Sequence, residues 1–388
     1  MTILPKGFKA AGIHAGIKKD KNKKDLAMIY CEKKCNSAAL FTTNKVKAAP
    51  ILLSMEHIKD GQAQAVIVNS GNANACTANG MEVAQKMCSL TADSLGINPQ
   101  DVIVASTGVI GQELTIDDSQ FGNVAKQLSE DGFCEAAQAI MTTDTFMKEC
   151  SVEFELGRIS AIAKGSGMIN PNMATMLCFI TTDVAISQPL LERALREINE
   201  KTFNMVSVDG DTSTNDIVCI MASGLSGNNE ITQEDKEYEL FYSMLYSVME
   251  DLAKKMAKDG EGATKLIECA VSGAKDEVTA RSVAKSVISS SLVKSALGAA
   301  DANWGRILCA IGYADGEFDI NKVEVKLGDI AVCKNGMGVD FSEEQASKYL
   351  SNDEIIIEIN MGSGDYSASA WGCDLTEEYV RINADYRT

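Results

Sequence analysis

Histidine is nearly absent from this chain: His14 and His57 are the only two in 388 residues, and both lie in its first sixth. An imidazole-based triad has only these to draw on, and a zinc site would have to rely on cysteines. Twelve cysteines occur, but none forms a Cys-x-x-Cys pair, and the closest two, Cys31 and Cys35, have three residues between them. Most sit in apolar runs such as Ile217-Val-Cys-Ile and Ile307-Leu-Cys-Ala, as small buried hydrophobes do in a reducing compartment. No metal site and no disulfide framework is expected. Phosphate-binding glycine loops are missing too: there is no Walker loop and no Gly-x-Gly-x-x-Gly fingerprint. Basic charge is scarce, with 36 Lys and Arg against 54 Asp and Glu for a formal net of −18, which argues against a nucleic-acid groove. The single basic run, Lys18-Lys-Asp-Lys-Asn-Lys-Lys, has no aromatic residues between its charges to stack bases and reads as a solvated turn. No run reaches the roughly 18–20 apolar residues of a membrane helix, and the N-terminal residues lack the apolar core of a secretory signal. A cytoplasmic location, with no membrane and no nucleic-acid partner, is the expectation.

What is present is a chain 45% hydrophobic and long enough for two packed lobes. Segments 26–31, 38–43, 65–69 and 102–106 read as strands, and 81–95 and 119–141 have helical periodicity. A strand at 176–181 is apolar on both faces and therefore central. Helices follow at 189–203, 240–256 and within 277–292, and strands at 322–327, 330–333, 354–359 and 379–383. Mixed strands and helices without a strict βαβ rhythm point to an α+β fold.

The most informative stretch is Lys164-Gly-Ser-Gly-Met-Ile-Asn-Pro-Asn-Met-Ala-Thr-Met-Leu, a broken loop that runs straight into that central strand, with Thr175 at the junction. An internal threonine hydroxyl is a poor nucleophile because it needs a nearby base. Cutting between Ala174 and Thr175 would supply one, since a free α-amine has an unperturbed pKa of roughly 7.7–8.0 and is substantially neutral near physiological pH. Other loops rich in small polar residues fall at strand ends: Asn69-Ser-Gly-Asn-Ala-Asn-Ala-Cys-Thr, Ser106-Thr-Gly-Val-Ile-Gly, Met141-Thr-Thr-Asp-Thr, Ser207-Val-Asp-Gly-Asp-Thr-Ser-Thr-Asn-Asp and Lys258-Asp-Gly-Glu-Gly-Ala-Thr-Lys. Each alone is a turn; together they resemble the rim of a pocket.

Taken with Gly7-Phe-Lys-Ala-Ala-Gly-Ile-His-Ala-Gly-Ile near the start, Asn303-Trp-Gly-Arg and the closing Tyr379-Val-Arg-Ile-Asn-Ala-Asp-Tyr-Arg-Thr, these motifs resemble the ornithine acetyltransferases nearly end to end. The resemblance implies self-cutting at Ala174–Thr175 into fragments 1–174 and 175–388. Thr175 would then carry an acetyl group from N-acetylornithine to glutamate in a ping-pong reaction of cyclic arginine biosynthesis. It further implies an oxyanion hole at Thr107 and Gly108, and substrate contacts at Thr143, Lys164, Thr175, Glu261, Asn383 and Thr388. Either neighbour in Thr142-Thr-Asp-Thr could fill the place of Thr143. The implied fold is a two-lobed, αββα-like layered architecture, related to but topologically distinct from N-terminal nucleophile hydrolases. Two copies of each fragment would assemble as a heterotetramer. No cofactor is implied, and acetyl-CoA is a second candidate acetyl donor. The chain departs from the family at Ala78, where glycine is common, and alanine would be strained there if that position needs a positive φ.

Two alternatives compete. A self-processing amide hydrolase of the β-peptidyl aminopeptidase kind would deliver the acyl group to water, and a catalytically silent binding protein would never cut itself. Lys164, Glu261 and the C-terminal Asn-x-x-x-x-Thr favour an amino-acid acceptor.

Overall fold

A computed structural model describes residues 2–170 and 176–384. They form two compact units. The first takes the described residues up to Gly165, those from 176 to 200, and 211–252; the second takes 166–170, 201–210 and those from 253 onward.

The first unit is built on an eight-stranded sheet. Its strands are β1 (Phe8–Ile13), β2 (Leu26–Phe41), β3 (Gln62–Asn72), β4 (Val102–Val109), β5 (Lys148–Phe154), β6 (Gly157–Lys164), β7 (Leu177–Thr182) and β9 (Ile217–Ala222); β8 belongs to the second unit. The order is β4-β3-β2-β9-β7-β6-β5, with β1 also on β2. Successive side chains of a strand face opposite sides, and here both sides are apolar. Ile29, Val66, Val68, Ile103 and Ala105 join one core with the helix Phe133–Ile140, whereas Met28, Ala65, Ile67, Val102 and Val104 join another with the helix Gly80–Leu95. That second helix buries Ala84, Met87, Cys88, Thr91 and Ala92 along one stripe, the spacing of an amphipathic helix. The strand after Thr175 is central, as its composition requires: β7 lies between β9 and β6, with all six residues buried.

Two expected strands, 26–31 and 38–43, are one strand, β2. It passes through exposed Glu32, Lys33 and Lys34 at an irregular register, pairing with β3 mainly before them and with β9 after. The expected helix over 119–141 is two, Ser119–Lys126 and Phe133–Ile140. Between them Ser129 exchanges two backbone hydrogen bonds with Ala10 of β1, at 2.9 and 3.1 Å, so long-range pairing outweighs local helical periodicity. The basic run is not wholly solvated, because the Lys18 ammonium donates to the Lys24 carbonyl at 2.8 Å and the Met141 carbonyl at 2.7 Å. Burial of that ammonium lowers its pKa to about 8.

The second unit holds a seven-stranded sheet in the order β13-β12-β11-β14-β10-β15-β8. These are β8 (Val206–Ser207), β10 (Leu266–Ala274), β11 (Glu324–Leu327), β12 (Ile330–Lys334), β13 (Met337–Gly338), β14 (Glu354–Asn360) and β15 (Tyr366–Cys373). In β14, Ile355, Ile357 and Ile359 are buried while Glu354, Ile356 and Glu358 are exposed, the alternation of a sheet covered on one face. The helix Glu277–Ser289, capped by the Asp276 carboxylate on the Thr279 N–H, packs on β10 and β15. Residues 379–383, expected as a strand, lie in the helix Glu377–Ala384. Glu377 and Glu378 complement the positive end of that helix, and Glu378 pairs with Arg381 one turn on. Those interactions outweigh the strand preference of a short Tyr-Val-Arg-Ile run. The cysteines are free thiols, and none of the described helices is long and apolar enough to cross a membrane.

Candidate active site

In the first unit the candidate residues gather where β3, β4 and β6 end. Thr107 and Gly108 lie near the end of β4, paired in parallel with Ser70 and Gly71 of β3. Gly108 has a φ of 134°, and a Cβ there would overlap the backbone of Gly71, so only glycine lets the two strands meet. Lys164 is the last residue of β6, not a loop residue, and is 8% exposed. Its ammonium lies 3.2 Å from the Thr107 hydroxyl, to which it donates.

Asp144 organises this corner. Its carboxylate accepts the Lys148 ammonium at 2.7 Å, with both side chains fully buried, and the N–H groups of Gly165 at 2.8 Å and Thr142 at 2.9 Å. Burial alone would push the carboxyl up, but the ammonium groups of Lys148 and Lys164 hold it down to about 2. The charged carboxylate therefore fixes the residue after Lys164 and the loop that carries Thr143, which is half-buried.

A layer of buried asparagines braces the same corner. The Asn215 amide donates to the carbonyls of Ala73 at 2.6 Å and Ser106 at 2.9 Å, fixing the peptide plane that leads into Thr107. The Ser106 hydroxyl reaches Asn69 at 2.5 Å, and Asn69 donates to the Asn72 carbonyl at 2.8 Å. The loop 69–77 is thus scaffold more than rim: of its members, only Gly71, Cys76 and Thr77 are not buried. Positive φ falls on Asn74, at 46°, and on Cys76, at 58°, and not on Ala78, so alanine there carries no left-handed strain. The sequence signalled this layer only as turn-forming asparagines; Asp144, Lys148 and Asn215 carried no separate signal.

In the second unit Glu261, 8% exposed, receives the Asn383 side-chain amide at 2.8 Å. The helix Glu377–Ala384 thus brings together two residues separated by 122 positions in the chain. The Glu261 N–H donates to the Ser166 carbonyl at 2.8 Å, and a Cβ on Gly167 would overlap the Glu261 carboxylate. Asp209 accepts the N–H groups of Met168, at 2.5 Å, and Ile169, at 2.9 Å, and so holds the segment 166–170. Ala174, Thr175 and Thr388 lie outside the described residues. No cluster of His, Cys, Asp and Glu among the described residues could hold a metal ion.

The ArgJ family profile matches residues 9–388, nearly the whole chain. The chain belongs to the ArgJ family. This is the ornithine acetyltransferase family that the motifs resemble, and its members are acyltransferases of arginine biosynthesis. The arginine biosynthesis bifunctional protein ArgJ 1 of Clostridium acetobutylicum is 51% identical to this ArgJ chain over 392 residues, covering 98% of this chain and 96% of that protein. The ArgJ protein of Caldanaerobacter subterraneus is 49% identical over 396 residues, covering 99% of this chain and 98% of that one. The crystal structure of ArgJ from Bacillus halodurans matches with a TM-score of 0.52 and 49% identity, covering 53% of this chain and 97% of that one.

Proposed function

We propose that this ArgJ protein cuts itself before Thr175 and then moves an acetyl group from N-acetylornithine to glutamate through that residue. The Thr175 hydroxyl attacks the Ala174 carbonyl, water hydrolyses the resulting ester, and the α-amine so freed becomes the base for its own hydroxyl. N-acetylornithine then acylates Thr175 and releases ornithine, and glutamate takes the acetyl group in a second displacement. Each step passes through a tetrahedral oxyanion, which Thr107 and the Gly108 N–H stabilise; one such donor is worth roughly 2.7–4 kcal/mol. The observation that carries this is the buried Lys164 ammonium 3.2 Å from the Thr107 hydroxyl, a pre-set positive group beside the donor assigned to the oxyanion. Lys164 serves the carboxylate common to the amino-acid substrates, while Glu261, held by Asn383, serves a substrate ammonium; Thr143 and Thr388 complete the contacts.

The extent of the Bacillus halodurans chain supports the processing step, because that chain is almost fully matched by 53% of this one, as a fragment from a cut near Thr175 would be. The two fragments would remain interleaved: β6 precedes the cut and pairs with β7 after it, and β2 likewise pairs with β9. A heterotetramer of two copies of each fragment is the assembly expected from the family. The relatives' description as bifunctional supports a second activity, formation of N-acetylglutamate from acetyl-CoA and glutamate.

Intact-mass measurement and a transfer assay on wild type and Thr175→Ala test the proposal together. Wild type should give two masses that sum to the precursor plus one water, and the variant one full-length mass with no transfer. Transfer retained by Thr175→Ala would overturn it, and free acetate in place of N-acetylglutamate would favour the hydrolase.

A further inference from the structure

Asn215 is buried, and each polar atom of its side chain has a partner inside the first unit. The Thr214 hydroxyl donates to its Oδ1 at 2.6 Å, while its Nδ2 gives one hydrogen to the Ala73 carbonyl and the other to the Ser106 carbonyl. Turned over, the amide would set its oxygen against two carbonyls, so only one orientation fits. The segment that carries Asn215 is itself gripped by the chain beyond β2. There the Thr42 hydroxyl donates to the Ser213 carbonyl and the Asn44 amide to the Thr212 carbonyl, both at 2.8 Å, and the Ala48 N–H to the Thr214 carbonyl at 3.0 Å. One side chain therefore ties the residue just past β3, Ala73, to Ser106 within β4. The Ser106 carbonyl shares its peptide plane with the Thr107 N–H, so holding it sets the backbone that carries Thr107 and then Gly108. The far side of that pair is fixed as well, because the Ala73 N–H donates to the Val109 carbonyl at 3.0 Å.

We propose that Asn215 is a positioning residue for the oxyanion donors, an inference that rests on the role given to Thr107 and Gly108 above. It makes and breaks no bond and acts only through the backbone it holds. Donors aimed at a developing oxyanion work because they are set in place before the charge forms, and a displacement of about 1 Å costs on the order of 100-fold in rate. The Thr107 side chain is held separately, by the Lys164 ammonium at 3.2 Å, which leaves the main chain to Asn215. Asn215 also follows the proposed cut in the chain, whereas Ala73, Ser106, Thr107 and Gly108 precede it. The oxyanion donors of one fragment therefore take their setting from an amide of the other.

Full-length wild type, Asn215→Ala, Asn215→Ser, Thr107→Ala and the double variant Thr107→Ala/Asn215→Ala test it. Acetyl transfer from N-acetylornithine to glutamate is measured per cut chain, counted by intact mass, with thermal unfolding as the folding check. Asn215→Ala should lower kcat on the order of 100-fold and leave KM within about threefold, the pattern of an interaction that matters only in the transition state. Asn215→Ser keeps one donor and should lose less; it carries the test if the alanine variant does not fold. In the Thr107→Ala background the further loss from Asn215→Ala should shrink about tenfold or more, because much of what Asn215 positions is already gone. Where a variant folds but stays whole, the rate of cutting is compared in the same way, since that step forms an oxyanion too. A folded Asn215→Ala with wild-type kcat overturns the proposal, as does a loss confined to KM or one that multiplies in full with Thr107→Ala; each leaves the oxyanion assignment standing. A Thr107→Ala variant that cuts and transfers at wild-type rates removes that assignment and this role with it.

Discussion

Replacing Asp144 with asparagine should be among the most destabilising isosteric changes in the first unit. Its carboxylate and the Lys148 ammonium are 2.7 Å apart, with both side chains fully shielded from water. Breaking such a pair from one side takes the carboxylate away from a fully buried ammonium, a loss of roughly 3–5 kcal/mol. An independent route gives a similar scale. At about 1.4 kcal/mol per tenfold change in proton affinity, the fall of the carboxyl from its ordinary 3.8 to about 2 is worth roughly 2–3 kcal/mol. The sign follows from linkage: a carboxyl held low contributes in full above its unfolded pKa, near 3.8, and loses the contribution as pH falls through about 2. Urea unfolding should therefore show a gap between wild type and Asp144→Asn that is flat from pH 8 to about pH 5. Adding Lys148→Met should recover more than half of the loss, because an apolar replacement removes the buried ammonium and the cost of burying it. A gap below about 1 kcal/mol, or a double variant weaker than Asp144→Asn alone, would refute the pairing as the source of stability.

Gly108→Ala should lower both the melting temperature and acyl transfer, because the new methyl meets the Gly71 backbone at a φ of 134° that alanine avoids; a fully active, wild-type-stable variant would contradict the strand contact. Glu261→Gln can still accept from Asn383 but loses its charge, so KM for the amino-acid substrates should rise roughly tenfold or more while folding is kept. Unchanged kinetics would remove Glu261 from the substrate contacts. Native size-exclusion chromatography of cut protein should give one peak containing both fragments, because β6–β7 and β2–β9 pairs join them in one sheet; separate elution would contradict that pairing.

Several features follow from local pattern alone. The apolar run after Thr175 had to be a strand covered on both sides, and it is. The stripe in the helix Gly80–Leu95 fixes its buried face by spacing. The motif from Lys164 to Leu177 placed the chain in its family and named the chemistry to look for.

What the tertiary structure alone decided are the partners across the chain. Lys164 meets Thr107, 57 positions away, Asn215 reaches Ser106 across 109, and Asn383 reaches Glu261 across 122. No local periodicity encodes these pairings, because strand register and sheet order set them. The same long-range forces broke the expected helix over 119–141 at its pairing with β1. The short apolar run 379–383 matches strand and helix patterns alike, and helix won through its acidic first turn and the contact with Glu261. Composition determines which residues must be covered and which loops must be small; only the folded backbone determines which buried charge, amide or hydroxyl ends up beside which.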